Sequence, residues 1–182
     1  MGRVPDIPAA ELTQEQKRIQ EEIAGPRGGV VRGPFAIWLR LPDLADSASR
    51  LGNALRLNGK LEKRLFELAV LITARHWTAQ YEWFVHEEAG IKAGLSREVV
   101  EAIRLRQHPP FVRDDEALVY SVVTEIYETG TLSQSTYDRA LAGLGCDLLI
   151  ELVAAAGFYT MVAITLNAFD VPVPGGEMPL RA

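Results

Sequence analysis

Cysteine occurs once in this chain of 182 residues, at Cys146. A single thiol excludes an intrachain disulfide and leaves no CxxC pair for redox chemistry or zinc. Histidine occurs three times, at His76, His86 and His108. Their spacing gives neither HxxxH nor HxH, so no metal is expected. Positive charge is also short: the net charge is −5 and the pI near 5.3. A nucleic-acid partner calls for a basic patch or stripe. The loose group Arg104, Arg106 and Arg113 stands among acids and reads as a solvated face. The opening MGRVPDIPAAELTQEQ has no apolar h-region, and MGRVPD lacks the Ser/Thr of a myristoylation signal. A signal peptide and a lipid anchor are therefore not expected, and the cytoplasm is the expected location.

What is present is an ordinary soluble composition, 48% apolar and 24% charged, long enough for one domain with a real core. One segment, LLIELVAAAGFYTMVAITLNAF at 148–169, is long enough to span a bilayer and carries a single charge, Glu151. It lacks flanking Lys/Arg and holds Thr160, Thr165 and Asn167. It reads as a helix buried all round in a bundle or at a subunit interface, not as a membrane span.

The rest of the chain reads as helices. Thr13 with Gln16 forms a capping box for a helix to about Ala24, broken by GPRGG at 25–29. Gly33-Pro34 starts a short helical piece with Phe35, Ile37, Trp38 and Leu41 facing the core. After Pro42 comes a helix with a stripe of Leu44, Ala48, Leu51, Ala54 and Leu55, ended by Asn58-Gly59. Apolar residues over 61–76 make a helix buried on more than one face. Thr78 can cap the next, 79–93, stopped by Gly94. Ser96 caps another, HPPF at 108–111 breaks the chain, Asp114-Asp115 open an acidic first turn, and Ser133 caps a short helix. The tail VPVPGGEMPLRA reads as extended on the surface. No stretch alternates as a strand does. The expectation is all-α, about eight helices, one domain over 1–182. Its parts are an N-terminal arm (1–40), a core hairpin (61–94) and a C-terminal apolar helix (148–169). That last helix is too apolar for a monomer, so an oligomer burying part of it is expected.

The richest chemistry lies in ELAVLITARHWTAQYEWFVH, residues 67–86. Glu82 and His86 stand four apart on one helix face, where a carboxylate can orient an imidazole for acid/base work near neutral pH. Ala79, Ala89 and Ala93 on that face leave room above the pair; a surface ion pair would show the same spacing. Glu67 sits among aliphatic residues, where an acid costs several kcal/mol unless paired or neutral. Two readings stand side by side: a pair with Arg64 at the helix edge, or a second acid/base group pointing into the bundle. His76, Trp77, Tyr81 and Trp83 fit either a pocket mouth or the hairpin core. Arg32 fits solvent exposure or an anion contact.

With Glu67 in the first helix, Glu82-Trp83-Phe84-Val85-His86 in the second and Ala93-Gly94-Leu95 after it, the chain resembles the carboxymuconolactone decarboxylase family. The likeness is best over 61–104 and weaker in GFYTMVAITLNAF. It implies the AhpD-like all-helical fold, assembled as trimers or hexamers with sites in or between helical pairs. The peroxidase branch of that fold uses a CxxC; here Ala79 and Glu82 stand at those positions, so the likeness points to the cofactor-free decarboxylase branch. It implies a lyase of aromatic-compound catabolism acting on a small carboxylic acid or lactone, with His86 as proton donor, Glu82 orienting it and Glu67 as a relay. Arg75 or Arg32 would hold the substrate carboxylate, with Trp77 and Tyr81 beside it. The ARHWTAQYEW segment and the long N-terminal arm depart from a plain enzyme of that kind. The alternative is a non-enzymatic helical oligomer that binds a small acid or serves as a stress-related scaffold.

Overall fold

Nine α-helices and no strand make up the residues that the computed structural model describes, 2–25 and 29–181. They are α1 (Gln14–Ala24), α2 (Pro34–Trp38), α3 (Pro42–Arg56), α4 (Lys63–His76) and α5 (Gln80–Lys92), then α6 (Arg97–Arg104), α7 (Asp114–Thr129), α8 (Gln134–Leu144) and α9 (Cys146–Ala168). The all-α expectation holds, with nine elements in place of about eight. Gly25 closes α1; residues 26–28 of the expected GPRGG break lie outside the described residues.

Local signals set most helix starts. Thr13 and Gln16 satisfy each other's backbone N–H groups, at 3.0 and 3.1 Å. Ser96 and Ser133 each accept from the N–H three residues on. Pro34 and Pro42 occupy first turns, where the missing N–H has no cost. Thr78 differs from expectation. It takes a left-handed backbone (φ 49°) in the tight α4–α5 turn, and Ala79 sits at the N-cap. Its hydroxyl accepts from Arg75 Nη1 at 3.0 Å, so it braces the end of α4 instead of starting α5.

Helix α4 is the axis of the bundle. Every residue from Arg64 to Arg75 is buried, because α5, α7 and α9 pack on different sides of it. Each large apolar side chain buried this way contributes about 1.5–3 kcal/mol. On α3 the expected stripe is rotated. Ala45, Ala48, Ser49, Gly52 and Leu55 face inward, while Leu44 and Leu51 are exposed. Small residues let α3 lie close to α1, α2 and α9, which leaves its larger leucines outside. Leu41 is likewise exposed.

Helix α9 is long and apolar enough to cross a membrane by length and composition. It lies in the bundle: Leu152, Ala155, Tyr159, Ala163 and Leu166 are buried, while Ile150, Val153, Met161 and Ile164 form an exposed edge. The tail is tied down more firmly than an extended surface segment. Gln80 both donates to Leu180 O and accepts from Leu180 N, each at 2.8 Å. Arg75 donates to Arg181 O and Arg104 to Pro179 O, and the Leu180 side chain is buried. At the other end, Arg3 N–H donates to Phe169 O and Arg40 to Pro5 O.

Candidate active site

The α4–α5 hairpin puts its acids and histidine on facing sides. His86 Nδ1 lies 2.6 Å from Glu67 Oε2, and both side chains are buried. A carboxylate only accepts, so Nδ1–H donates and Nε2 carries the lone pair. Burial alone would raise the Glu67 carboxyl, but the hydrogen bond from His86 and the charges of Arg56 and Lys63 hold it below its ordinary value. Burial holds the imidazole below its own, against the pull of Glu67. The pair is therefore a carboxylate beside a neutral imidazole at neutral pH. Lys63 Nζ stands 3.5 Å from the other Glu67 oxygen, and the Tyr159 ring meets the imidazole edge-on at a centroid distance of 5.1 Å.

Of the two readings for Glu67, pairing with Arg64 does not occur. Arg64 bonds Glu116 at 2.5 Å and Asp115 at 2.7 Å, both on α7. Glu67 points the other way, into the hairpin. The expected Glu82–His86 bond is absent as well. The imidazole reaches across to α4, and neither Glu82 oxygen has a hydrogen-bond partner, although the residue is only 2% exposed. Burial without a partner pushes the Glu82 carboxyl well above the usual carboxylate range. The surroundings of Glu82 favour its neutral, protonated form.

A cavity of about 500 Å³ opens onto Glu82 and His86. Phe35, Phe84, Phe158, Tyr159 and Val162 supply apolar wall, and Arg32, Arg56 and Lys63 bring three cations to the same lining. Among the described residues, Arg32 and Arg56 form no ion pair. Glu67 supplies negative charge from behind the imidazole; Glu82 and His86 supply none in their favoured forms. The cavity thus gathers cationic side chains, a carboxyl raised by burial and an imidazole lowered by burial.

Of the residues expected at a site, Glu67, Glu82, His86, Tyr81 and Arg32 come together here. Arg75 does not: its guanidinium is spent on Thr78 and the Arg181 carbonyl. Trp77 does not either, being partly exposed, with its indole N–H 3.4 Å from Thr160 Oγ1. Arg56 and Lys63 were not expected. Lys63 is one turn before Glu67 on the same face, a signal that spacing could have supplied; Arg56, at the end of α3, has no local signal.

These features define an all-helical fold with a buried acid–base pair beside a cation-lined cavity. No family model matches the chain, and no curated protein matches it. Among solved structures it is similar to the debrominase Bmp8. A cysteine-to-alanine variant of Bmp8 in complex with 2,3,4-tribromopyrrole superposes at a TM-score of 0.71 with 15% identity, over 93% of this chain and 90% of that one. Apo Bmp8 superposes at 0.70 with 15% identity, over 92% and 90%. The chain shares that fold over nearly its whole length.

Proposed function

We propose that this chain is a cofactor-independent enzyme that acts on a small carboxylated lactone or aromatic-derived acid by proton transfer. The reaction it suits best is decarboxylation of the carboxymuconolactone type. The observation that carries this reading is the buried, unpartnered Glu82 in one cavity with His86. Leaving a buried acid without a partner costs about 1–3 kcal/mol, which a purely structural role does not return. The roles differ from those the resemblance implied. Glu82 is the proton donor, and His86, oriented by Glu67, is the base.

In this scheme Arg32 and Arg56 hold the substrate's carboxylates. The scissile carboxylate leaves as carbon dioxide, and its electron pair passes into the conjugated carbonyl as a dienolate. Lys63 and the arginines stabilise the developing oxyanion. Glu82 delivers its proton to carbon, and a proton from solvent, taken up through His86, restores the acid. No cofactor enters the scheme. The Bmp8 fold holding a small aromatic heterocycle is consistent with a substrate of this size. A thiol reaction is not part of the scheme, because Cys146 is exposed at the start of α9, away from the cavity. The reading carries with it a cytoplasmic role in breaking down aromatic-derived acids. It also carries a trimer or hexamer formed through the exposed edge of α9.

The test is to offer lactone acids to the purified protein and follow ring absorbance and carbon dioxide. His86→Ala and Glu82→Gln are each expected to lower turnover by about 10²–10⁴-fold with helix content unchanged. Turnover at the parent rate in either variant would remove its residue from the mechanism. Binding without turnover in the parent would favour the non-enzymatic, small-acid-binding alternative.

A further inference from the structure

Beside the reaction cavity lies a second one, of about 630 Å³, where residues 2–6, 31–37 and 171–174 meet. Its walls are largely apolar, with Val4, Pro5, Val31, Ile37, Val171 and Pro172 among them. Three residues line both cavities: Arg32, Tyr81 and Pro174. Tyr81 is the largest of these and stands half-buried between the two spaces. Its ring lies on the bare backbone of Gly33, where a Cβ would come within 2.8 Å of Tyr81 Cε1. Gly33 also has φ 62°, a conformation that side-chain-bearing residues rarely adopt. The chain has thus kept a seat for this ring.

We propose that Tyr81 is a specificity-determining partition. It confines the bound acid to the reaction cavity and closes off the second cavity, which has the chemistry to take an apolar tail attached to that acid. Arg32 reaches both spaces, so an acid whose carboxylate it holds has its remaining carbons beside the partition. With Tyr81 in place, only compact acids fit. With the ring removed, a linear apolar chain runs from Arg32 past residue 81 into the space walled by Val31, Ile37 and Val171. This inference rests on the carboxylate-binding reading above.

The experiment measures calorimetric binding of straight-chain monocarboxylic acids, from butanoic to dodecanoic, to the parent, Tyr81→Ala, Tyr81→Leu and Tyr81→Phe. In the parent and in Tyr81→Phe, affinity should rise with length, reach an optimum and then fall. In Tyr81→Ala the Kd should keep falling past that optimum by about fourfold per added methylene. Tyr81→Leu should move the optimum in the same direction by less, and it carries the test if the alanine protein does not fold. An optimum at the same length in parent, leucine and alanine proteins overturns the partition while leaving carboxylate binding intact. A shifted optimum in Tyr81→Phe would assign the limit to the hydroxyl instead of the ring and also overturns it. If acids of no length bind any of the four proteins, the carboxylate reading falls and this inference with it.

Discussion

Arg64 and Glu67 are one helical turn apart on α4, both buried, and their surroundings are opposite. Arg64 is met by Glu62, Asp115 and Glu116, so its charge is fully answered. These contacts raise the guanidinium above its ordinary value despite burial, and they help hold Asp115 down to about 2. Around Glu67 the polar groups are only partly answered. One oxygen has His86, the other has a lysine at 3.5 Å, and Glu82 nearby has nothing. A closed ion cluster fastens α4 to α7, whereas the open one faces a cavity. On the proposed function, the difference separates charge that serves the fold from charge that gives up stability to leave a proton available.

Three measurements sharpen or break that contrast. The largest effect is expected from Arg64→Met, which strands Glu116 in the interior and should cost about 3–5 kcal/mol in urea unfolding. Adding Glu116→Leu should recover part of it. A loss under about 1 kcal/mol would mean that the cluster does not fasten the fold. Next is pH. Folding raises the Glu82 pKa above its ordinary 4.5. Its contribution is therefore complete below about that pH and is lost as pH climbs toward the folded value, where the unfolded chain has already released the proton. Relative to Glu82→Gln, the parent should lose stability as pH rises above about 4.5, at up to about 1.4 kcal/mol per pH unit until the folded carboxyl itself ionises. Parallel curves for the two proteins would mean that Glu82 is ionised in the fold. The smallest effect is Glu82→Leu at about pH 3, well below the ordinary Glu value, where the carboxyl is neutral folded or unfolded. Removing an unbonded hydroxyl should stabilise the protein by about 1 kcal/mol. Destabilisation there would reveal a partner for the acid and erase the contrast.

Much of the fold was legible because it is written locally. Thr13, Ser96 and Ser133 announce helix starts through bonds spanning three residues; α9, expected to be buried all round, packs one side into the bundle and leaves an apolar edge exposed. The gathering of Glu67, Glu82 and His86 was implied by the family resemblance; spacing alone left Glu67 open between Arg64 and the bundle interior. Their pairing was not legible. A four-residue rule favours Glu82 with His86 and cannot weigh it against a carboxylate on the neighbouring helix. Arg64 found its acids 51 and 52 residues on, and Arg75 found a carbonyl 106 residues on. Nothing near either arginine marks those destinations. Arg56 reached the cavity for the same reason, through the packing of α3 and not through any pattern within it.

The docking of residues 179–181 has a consequence in time. Its bonds join α4, α5 and α6 to chain 75–106 positions away, so closing it requires one of the longest loops in the protein, and contacts of that kind form late. The hairpin carrying Glu67 and His86 is joined across 19 positions and can assemble early. The same tail places Pro172 and Pro174 in the wall of the second cavity. Loop length alone therefore favours closing the hairpin before the wall beside it. Shortening the chain between α9 and residue 179 should speed the docking of the tail without changing the hairpin.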